Sequence, residues 1–596
     1  MAVNSFRKDE ATNTAGKKET LVRLFAYLFR YKLQIAGVLL AMGITIGISL
    51  INPLLIERAI DVYIKGKDLQ GLLRLGIFTV LLNLVFVILV KVRMYVMAHI
   101  TNKILLEIRQ ELYEHIQTLS FQFFDSRPTG KILARIIGDV NSLKNVLTNS
   151  VTTLMPDFIT IVGVVLIMFI KDVRLAAAAL SSLPLMIAGI WLIQTRSHKR
   201  WQIYRKKGSN VNAYVHEGLS GMNVIQSFSA EQETKDTFDG LVEDYQKSFV
   251  DCVRLADMFG PVVDLCWGIG AMMLYLVGIC LVGAEHISVG TLVAFGSYIW
   301  MFWSPVMNLS NFYNQLITNI AGAERIFEIM DTKPEIFDDR EAIELPEIRG
   351  EVVFDHVGFS YDEGTQNETK VLDDVSFRIK PGETIALVGP TGAGKTTIVN
   401  LISRFYEIQK GHIYIDGYDL QKVKVGSLRQ QMGVMTQDNF IFSGTVKENI
   451  RYGKMDATDA EIIAAAKAVN AHEFIEKLEK GYDTELKERG AGLSIGQRQL
   501  IAFARTMVSM PKILILDEAT SSIDTHTELL VQKGIEVLLA GRTSFVIAHR
   551  LSTIQKADRI FVIDKGGIIE QGTAKELLEK KGEYYKLYMA QFKNLS

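Results

Sequence analysis

The sequence predicts a multi-domain protein: an all-α membrane half of six helices with long cytoplasmic helical extensions, followed by an α/β half built around a phosphate-binding loop (P-loop). Three observations predict it. Six apolar runs approach or exceed the roughly 20 residues that an α-helix needs to cross hydrocarbon. The connections between them alternate short and long, and the long ones are basic. After Thr332 short β-rich stretches such as "TIALVGP" and "ILILDE" alternate with helical ones, the signature of an α/β domain.

At 596 residues the chain is too long for one hydrophobic core. Its 48% hydrophobic and 22% charged residues suit a membrane half joined to a soluble half. A net charge of -1 carries no argument for a nucleic-acid partner, and none is expected. Cys252, Cys266 and Cys280 form no CxxC pair, so buried free thiols are expected and neither a disulfide framework nor a zinc site.

Residues 1–30 are polar and basic, lack the pattern of a secretory signal, and are expected to stay in the cytoplasm. The membrane domain, 31–330, carries its spans at 35–56, 71–90, 151–170, 175–193, 258–282 and 288–309. The connections after spans two and four run for roughly 60 residues, beyond ordinary helix connections. Lys91, Arg93, Lys103 and Arg109 stand in one, and Arg196, Lys199, Arg200, Arg205, Lys206 and Lys207 in the other. The positive-inside tendency then places both connections, both termini and the α/β half in the cytoplasm of a multi-pass protein of the cell membrane. In the first, "TNKILLEIRQELYEHIQTL" alternates apolar and charged residues at helical spacing, so span two is expected to continue as a helix well outside the lipid bilayer.

Asp264 interrupts span five about 9 Å beyond Met258 by helical rise. It reads as a paired or snorkelling structural acid in preference to a cargo contact. Span six gathers Tyr298, Trp300, Phe302, Trp303, Phe312 and Tyr313. At least half of these rings are expected to pack against helices or lipid, and the rest to accept amphipathic or aromatic compounds.

Residues 331–348 are charged and proline-punctuated, as a linker would be, and 349–596 form the α/β domain. Within it "GPTGAGKTT", 389–397, follows an apolar strand. Its glycines let the backbone from Gly389 through Pro390, Thr391, Gly392, Ala393 and Gly394 fold round an anion, and the helix opened by Lys395, Thr396 and Thr397 adds its positive end. Lys395 would reach the β- and γ-phosphates and Thr396 would ligate Mg²⁺. In "ILILDEAT" a buried strand ends in two carboxylates: Asp517 to hold Mg²⁺ through water, and Glu518 to polarise the attacking water.

The order of "GPTGAGKTT", the glutamine of "VMTQDNF", "LSIGQRQ", "ILILDEATSSID" and "VIAHR" resembles the nucleotide-binding domain of an ATP-binding cassette (ABC) transporter. "FQFFDSRPTGKILARIIGDV" and "HEGLSGMNVIQSF" are similar to the two cytoplasmic coupling regions of exporters in that family, and six spans ahead of one cassette is the half-exporter layout. The resemblance implies ATP and Mg²⁺ as cofactors, and roles for single residues. Tyr361 matches the aromatic that stacks on adenine. Gln437 matches the residue that contacts Mg²⁺ and the attacking water. His549 matches the switch histidine on the γ-phosphate, Asp524 the acid facing the partner cassette, and Glu488 the glutamate near the coupling helices. Ser494, Gly496 and Gln497 belong to the signature turn that completes the partner chain's ATP site.

That turn normally carries glycine where this chain has Ile495. A glycine there tolerates positive φ and close approach to phosphate, so Ile495 is expected to cost conformational energy, add bulk and weaken the site it completes. Intact catalytic residues beside a departing signature resemble one half of an asymmetric heterodimer. A homodimer that tolerates isoleucine, exporting a lipid or peptide, is the alternative, and an ATP-gated channel a more distant one. The implied activity is ATP hydrolysis driving efflux of drugs or lipid-like compounds by alternating access.

Overall fold

The computed structural model describes residues 17–127, 129–283, 287–361, 369–436, 439–517, 525–548 and 551–592. Two compact units emerge, one of residues 1–117 and 129–331, the other of residues 118–128 and 332–596. The short segment between spans two and three thus belongs with the second unit.

The first unit is helical. Among the described residues six helical stretches are long and apolar enough to cross a membrane: Lys32–Ile64, Leu69–Thr118, Thr129–Lys171, Val173–Ser220, Glu231–Leu281 and Val289–Val306. Leu69–Thr118 is one α-helix, about 75 Å long at 1.5 Å per residue and so far longer than the ~30 Å of hydrocarbon. Its outer part buries Met97, Ile100, Ile104, Ile108 and Leu112, the stripe expected from the helical spacing. At the opposite end of span three the turn "KDVR" closes tightly because the Asp172 carboxylate caps the next helix, accepting from the N–H groups of Arg174 (2.8 Å) and Leu175 (3.0 Å). Residues 17–29 are a helix, Lys17–Phe29, whose Arg23 pairs with Asp331 at 2.7 Å at the far end of the span-six helix Val289–Asp331.

Of the span-six aromatics, Tyr298, Phe302 and Trp303 are buried in the helix packing and Trp300 is exposed; the side chains of Phe312 and Tyr313 lie outside the described residues. Cys252 and Cys266 are buried thiols, but Cys280, expected to be buried, is exposed on its helix.

The second unit is built on a six-stranded sheet in the order Gly567–Gly572, Arg559–Asp564, Thr384–Val388, Thr543–Ile547, Ile513–Asp517, Met432–Met435. Only the Gly567–Gly572 pairing is antiparallel. Because side chains alternate along a strand, each strand feeds two cores. Ile385, Leu387, Ile513 and Ile515 enter one, and Ala386, Val388, Leu514 and Leu516 the other. Covered on both faces, these strands read as unbroken apolar runs. A four-stranded antiparallel sheet, in the order Thr369–Ile379, Val352–Tyr361, Lys410–Ile415, Tyr418–Asp419, lies beside it. The segment 331–348 is more than a tether: Ile343 exchanges backbone hydrogen bonds with Lys422 (3.0 Å) and Lys424 (2.9 Å), and Leu345 and Ile348 are buried in the core.

Candidate functional site

The central strand Thr384–Val388 delivers the chain to the carboxyl end of the parallel strands, where it turns through Gly389 into the helix Lys395–Ile402. Two glycines make this turn possible. Gly389 has φ +149° and a Cβ there would sit 2.1 Å from the Ile563 carbonyl oxygen; Gly394, at φ +106°, caps the helix, and its Cβ would press on Leu372 at 3.0 Å. Lys395 is half-buried, and its Nζ donates to the carbonyls of Gly389 (2.9 Å) and Pro390 (2.8 Å), bracing the loop into a ring. Burial pushes the Lys395 ammonium below its ordinary value, and the charge of Asp517 pulls it back up. Asp517 ends a strand separated from Thr384–Val388 by one neighbour, Thr543–Ile547, with Ile547 directly opposite Asp517. A half-buried cation, an acid that feels it, and a loop of backbone N–H groups at a helix start fit a triphosphate with its divalent cation.

Thr396 is exposed at the helix start, and buried Thr397 meets the Tyr361 hydroxyl at 3.2 Å. Tyr361 is half-buried at the end of its strand and edge-on to Phe359, with centroids 5.0 Å apart. Gln437, Glu518, Asp524 and His549 lie outside the described residues.

The signature turn corrects one expectation. Ile495 is the first residue of the α-helix Ile495–Ser509 and does not have positive φ. Ser494 is its N-cap: its hydroxyl accepts from the Gln497 N–H (3.2 Å) while the Gln497 side chain accepts from the Ser494 N–H (2.9 Å). This capping box fixes ordinary helical geometry at Ile495, so isoleucine carries no left-handed strain. The left-handed residues come earlier, at Arg489, Gly490 and Gly492. What remains is bulk: Ile495 is 41% exposed at a helix start where the capping box takes up the Gln497 N–H and leaves those of Ile495 and Gly496, without an intrahelical partner, toward an anion. Glu488 opens the short turn Glu488–Gly490 and is exposed. Among the described residues no hydrogen bond joins Ser494, Gly496 or Gln497 to the glycine loop of the same chain.

In the membrane unit, Asp264 is exposed and forms no ion pair among the described residues, so of the paired or snorkelling acid expected there the pairing is not seen. A different acid stands out. Asp157, near the start of the helix Met155–Lys171, is hydrogen-bonded to Asn308 of span six, while its Oδ2 is buried without a partner among the described residues. It lies about 21 Å from Lys171 by helical rise. The sequence showed this acid within the apolar run 151–170, and intramembrane acids are functional candidates by default.

A six-span membrane unit joined to a phosphate-loop ATPase unit defines an ATP-driven membrane transporter. The ABC transporter transmembrane region family matches residues 35–306 and the ABC transporter family residues 372–521. The chain is 42% identical over 576 residues to the ABC transporter ATP-binding protein YknV of Bacillus subtilis, covering 96% of this chain and 94% of that one. It is 40% identical to an ATP-dependent lipid A-core flippase of Syntrophus aciditrophicus, over 83% and 82% of the two chains. A solved bacterial Atm1-family ABC exporter with ATP bound superposes with a TM-score of 0.77 at 29% identity, covering 94% of this chain and 98% of that one. The chain therefore belongs to the ATP-binding cassette transporters. It is a multi-pass exporter half whose cassette is an ATPase coupled to transport, and exporters of this kind work as dimers in the membrane.

Proposed function

We propose that this chain is the catalytically complete half of a heterodimeric exporter that moves amphipathic, drug- or lipid-like compounds out of the cytoplasm, with the cassette and both termini on the cytoplasmic side. The observation that carries the asymmetry is Ile495, a bulky exposed side chain at the start of a helix that would otherwise offer bare N–H groups to the partner's ATP. Lys395, the backbone from Gly389 to Gly394, and Thr397 hold the triphosphate, and Tyr361 stacks on adenine. Thr396 and Gln437, and Asp517 through water, would hold Mg²⁺, which would supply positive charge against the phosphates. Glu518 polarises the attacking water, His549 donates to the γ-phosphate, and Asp524 faces the partner cassette. Ser494, Gly496 and Gln497 complete the partner's site, where Ile495 slows or prevents turnover. ATP binding draws the cassettes together and shifts the bundle from inward- to outward-facing, because the closed pair and the outward state are favoured together.

The lipid A-core flippase among the relatives supports a lipid-like cargo. The composition of the complex purified through a tag on this chain tests the asymmetry. A second cassette chain in equal amount, with LSGGQ and a substituted glutamate, is expected; a dimer of this chain alone with full, cooperative ATPase activity overturns it. In the heterodimer, Ile495→Gly is expected to lengthen ATP retention at the second site by removing bulk, and to leave steady-state turnover within about twofold, because the partner's substituted glutamate still leaves that site without a general base. A rise in turnover at two equal sites would instead favour the homodimer.

Asp157 and Asn308 supply a polar point on the cargo path. Lipid cannot cover a carboxylate at that depth cheaply, and Asn308 is exposed in the single chain, which favours a position facing the water-filled path. Asp157→Asn is expected to reduce transport of a cationic amphiphile such as tetraphenylphosphonium about tenfold, a charged hydrogen bond's worth, while transport of a neutral amphiphile is unchanged. Equal loss of both would assign Asp157 to helix packing.

A further inference from the structure

Tyr406 is only 4% exposed, yet it touches two functional regions at once. Its ring meets Tyr361 edge-on, with centroids 5.3 Å apart and planes at 86°, and meets Phe359 at 5.7 Å. Its hydroxyl donates to Asp125 Oδ2. Asp125 closes the one-turn helix Phe121–Asp125, part of the segment 118–128 that packs within the second unit and continues in the chain into the helices Leu69–Thr118 and Thr129–Ala134. The neighbouring Phe405 grips the same helix at its other end, stacking on Phe121 at 5.2 Å and 27°, and is itself backed by the Arg429 guanidinium at 5.0 Å. Ser120 adds a hydrogen bond to Glu335 at 2.9 Å. Two consecutive aromatic residues thus hold both ends of one helical turn, and one of them also forms the wall behind Tyr361.

Burial, and then Asp125, push the Tyr406 hydroxyl far above its ordinary value, so it stays a protonated donor. Edge-to-face ring pairs have a preferred geometry, and Tyr361 is additionally tied to Thr397 at the start of the loop helix. A base stacked on Tyr361 would fix the tilt of that ring, and through the edge-to-face pair would restrict where the Tyr406 hydroxyl can point.

We propose that Tyr406 is a positioning residue that reports the base held against Tyr361 to the segment 118–128, docking that segment when the base is a purine and leaving it loose when the base is too small to cover the ring. The two states of the segment are Asp125 held by Tyr406 and Asp125 released. Gln437 is assigned to Mg²⁺ and the attacking water and His549 to the γ-phosphate; Tyr406 adds a reading of the opposite end of the nucleotide. The inference rests on the placement of adenine against Tyr361 proposed above.

Hydrogen exchange of the backbone amides of residues 118–128 tests it, in the full complex reconstituted in lipid nanodiscs and saturated with ATP or with UTP. In the wild type ATP is expected to slow exchange of this segment about tenfold relative to UTP. Tyr406→Phe, which keeps the ring and deletes the hydroxyl, is expected to abolish the difference while ATP affinity and ATP hydrolysis stay within about twofold; Asp125→Ala should do the same. A purely structural role would raise exchange equally with both nucleotides and leave the ratio intact. Equal protection by ATP and UTP in the wild type, or a ratio that survives Tyr406→Phe, overturns the proposal. Tyr361→Ala separates the two readings: unchanged ATP affinity removes adenine from Tyr361 and overturns both, whereas a loss of affinity beside an unresponsive segment overturns the relay alone.

Discussion

Glu518→Gln is expected to lower ATP turnover of the complex about 10²- to 10⁴-fold, the range that a positioned general base contributes, while ATP still binds. Glutamine matches glutamate in size and still offers a carbonyl oxygen to a water, but it cannot take up a proton. The residues proposed to hold the nucleotide are elsewhere: the loop from Gly389 to Gly394 is shaped by its own backbone and by Lys395, whose Nζ donates to two of the loop's carbonyls. Asp517, one residue before Glu518, is the acid that Lys395 feels, so Asp517→Asn should impair binding of the metal–nucleotide pair as well as turnover. The two variants therefore separate holding from hydrolysis. Phosphate release measures turnover and retention of labelled ATP measures binding; near-normal release in Glu518→Gln would remove Glu518 from the base role. In the asymmetric complex proposed above this one substitution should silence the whole assembly, because the partner's site is there expected to contribute little turnover of its own.

The parts of the fold that were legible in the sequence are those fixed by local physics. Six spans follow from length and apolarity alone, and the 50-residue helix Leu69–Thr118 follows from helical spacing that continues past the apolar run. The phosphate loop follows from glycines at fixed intervals after a strand. The rest depends on residues far apart in the chain. Nothing local says that Asp125 will meet Tyr406, 281 positions away, or that Ile343 will pair with Val423 in an isolated bridge that ties part of a linker to the domain. Ile495 is a different case, because the signal was present and outweighed. Ser494 followed three residues later by Gln497, ahead of an amphipathic run, is a capping-box pattern, and it places Ile495 at the first helical position, where β-branched side chains are tolerated. Reading the turn through the glycine that usually stands there led to a backbone penalty that the helix does not impose. Asp157 was equally visible as an acid inside an apolar run, but its pairing with Asn308 needed the packing of spans three and six.

Gly389→Ala is expected to weaken ATP binding at least about 100-fold, against about tenfold for Gly392→Ala, although both glycines have positive φ and stand in the same loop. At Gly392, with φ +85°, an added Cβ would have no heavy atom within 4 Å, so alanine there meets only the intrinsic left-handed penalty, roughly 1–2 kcal/mol. That corresponds to about tenfold in affinity if the loop must keep its shape to bind, at about 1.4 kcal/mol per factor of ten. Gly389 is hemmed in: its Cβ would lie 2.1 Å from the Ile563 oxygen and 3.2 Å from the Ile563 carbonyl carbon. Ile563 is fully buried and belongs to the strand Arg559–Asp564, which is hydrogen-bonded to Thr384–Val388 on one side and to Gly567–Gly572 on the other. A backbone atom in the middle of a sheet cannot step aside as a side chain would, so the loop itself must move, and Lys395 loses the Gly389 carbonyl that braces it. ATP titration of both variants in the Glu518→Gln background, with melting temperature as a control for folding, checks the order. Equal losses at the two positions would mean that the loop reshapes freely round its ligand and that its ring geometry is not what binds the phosphates.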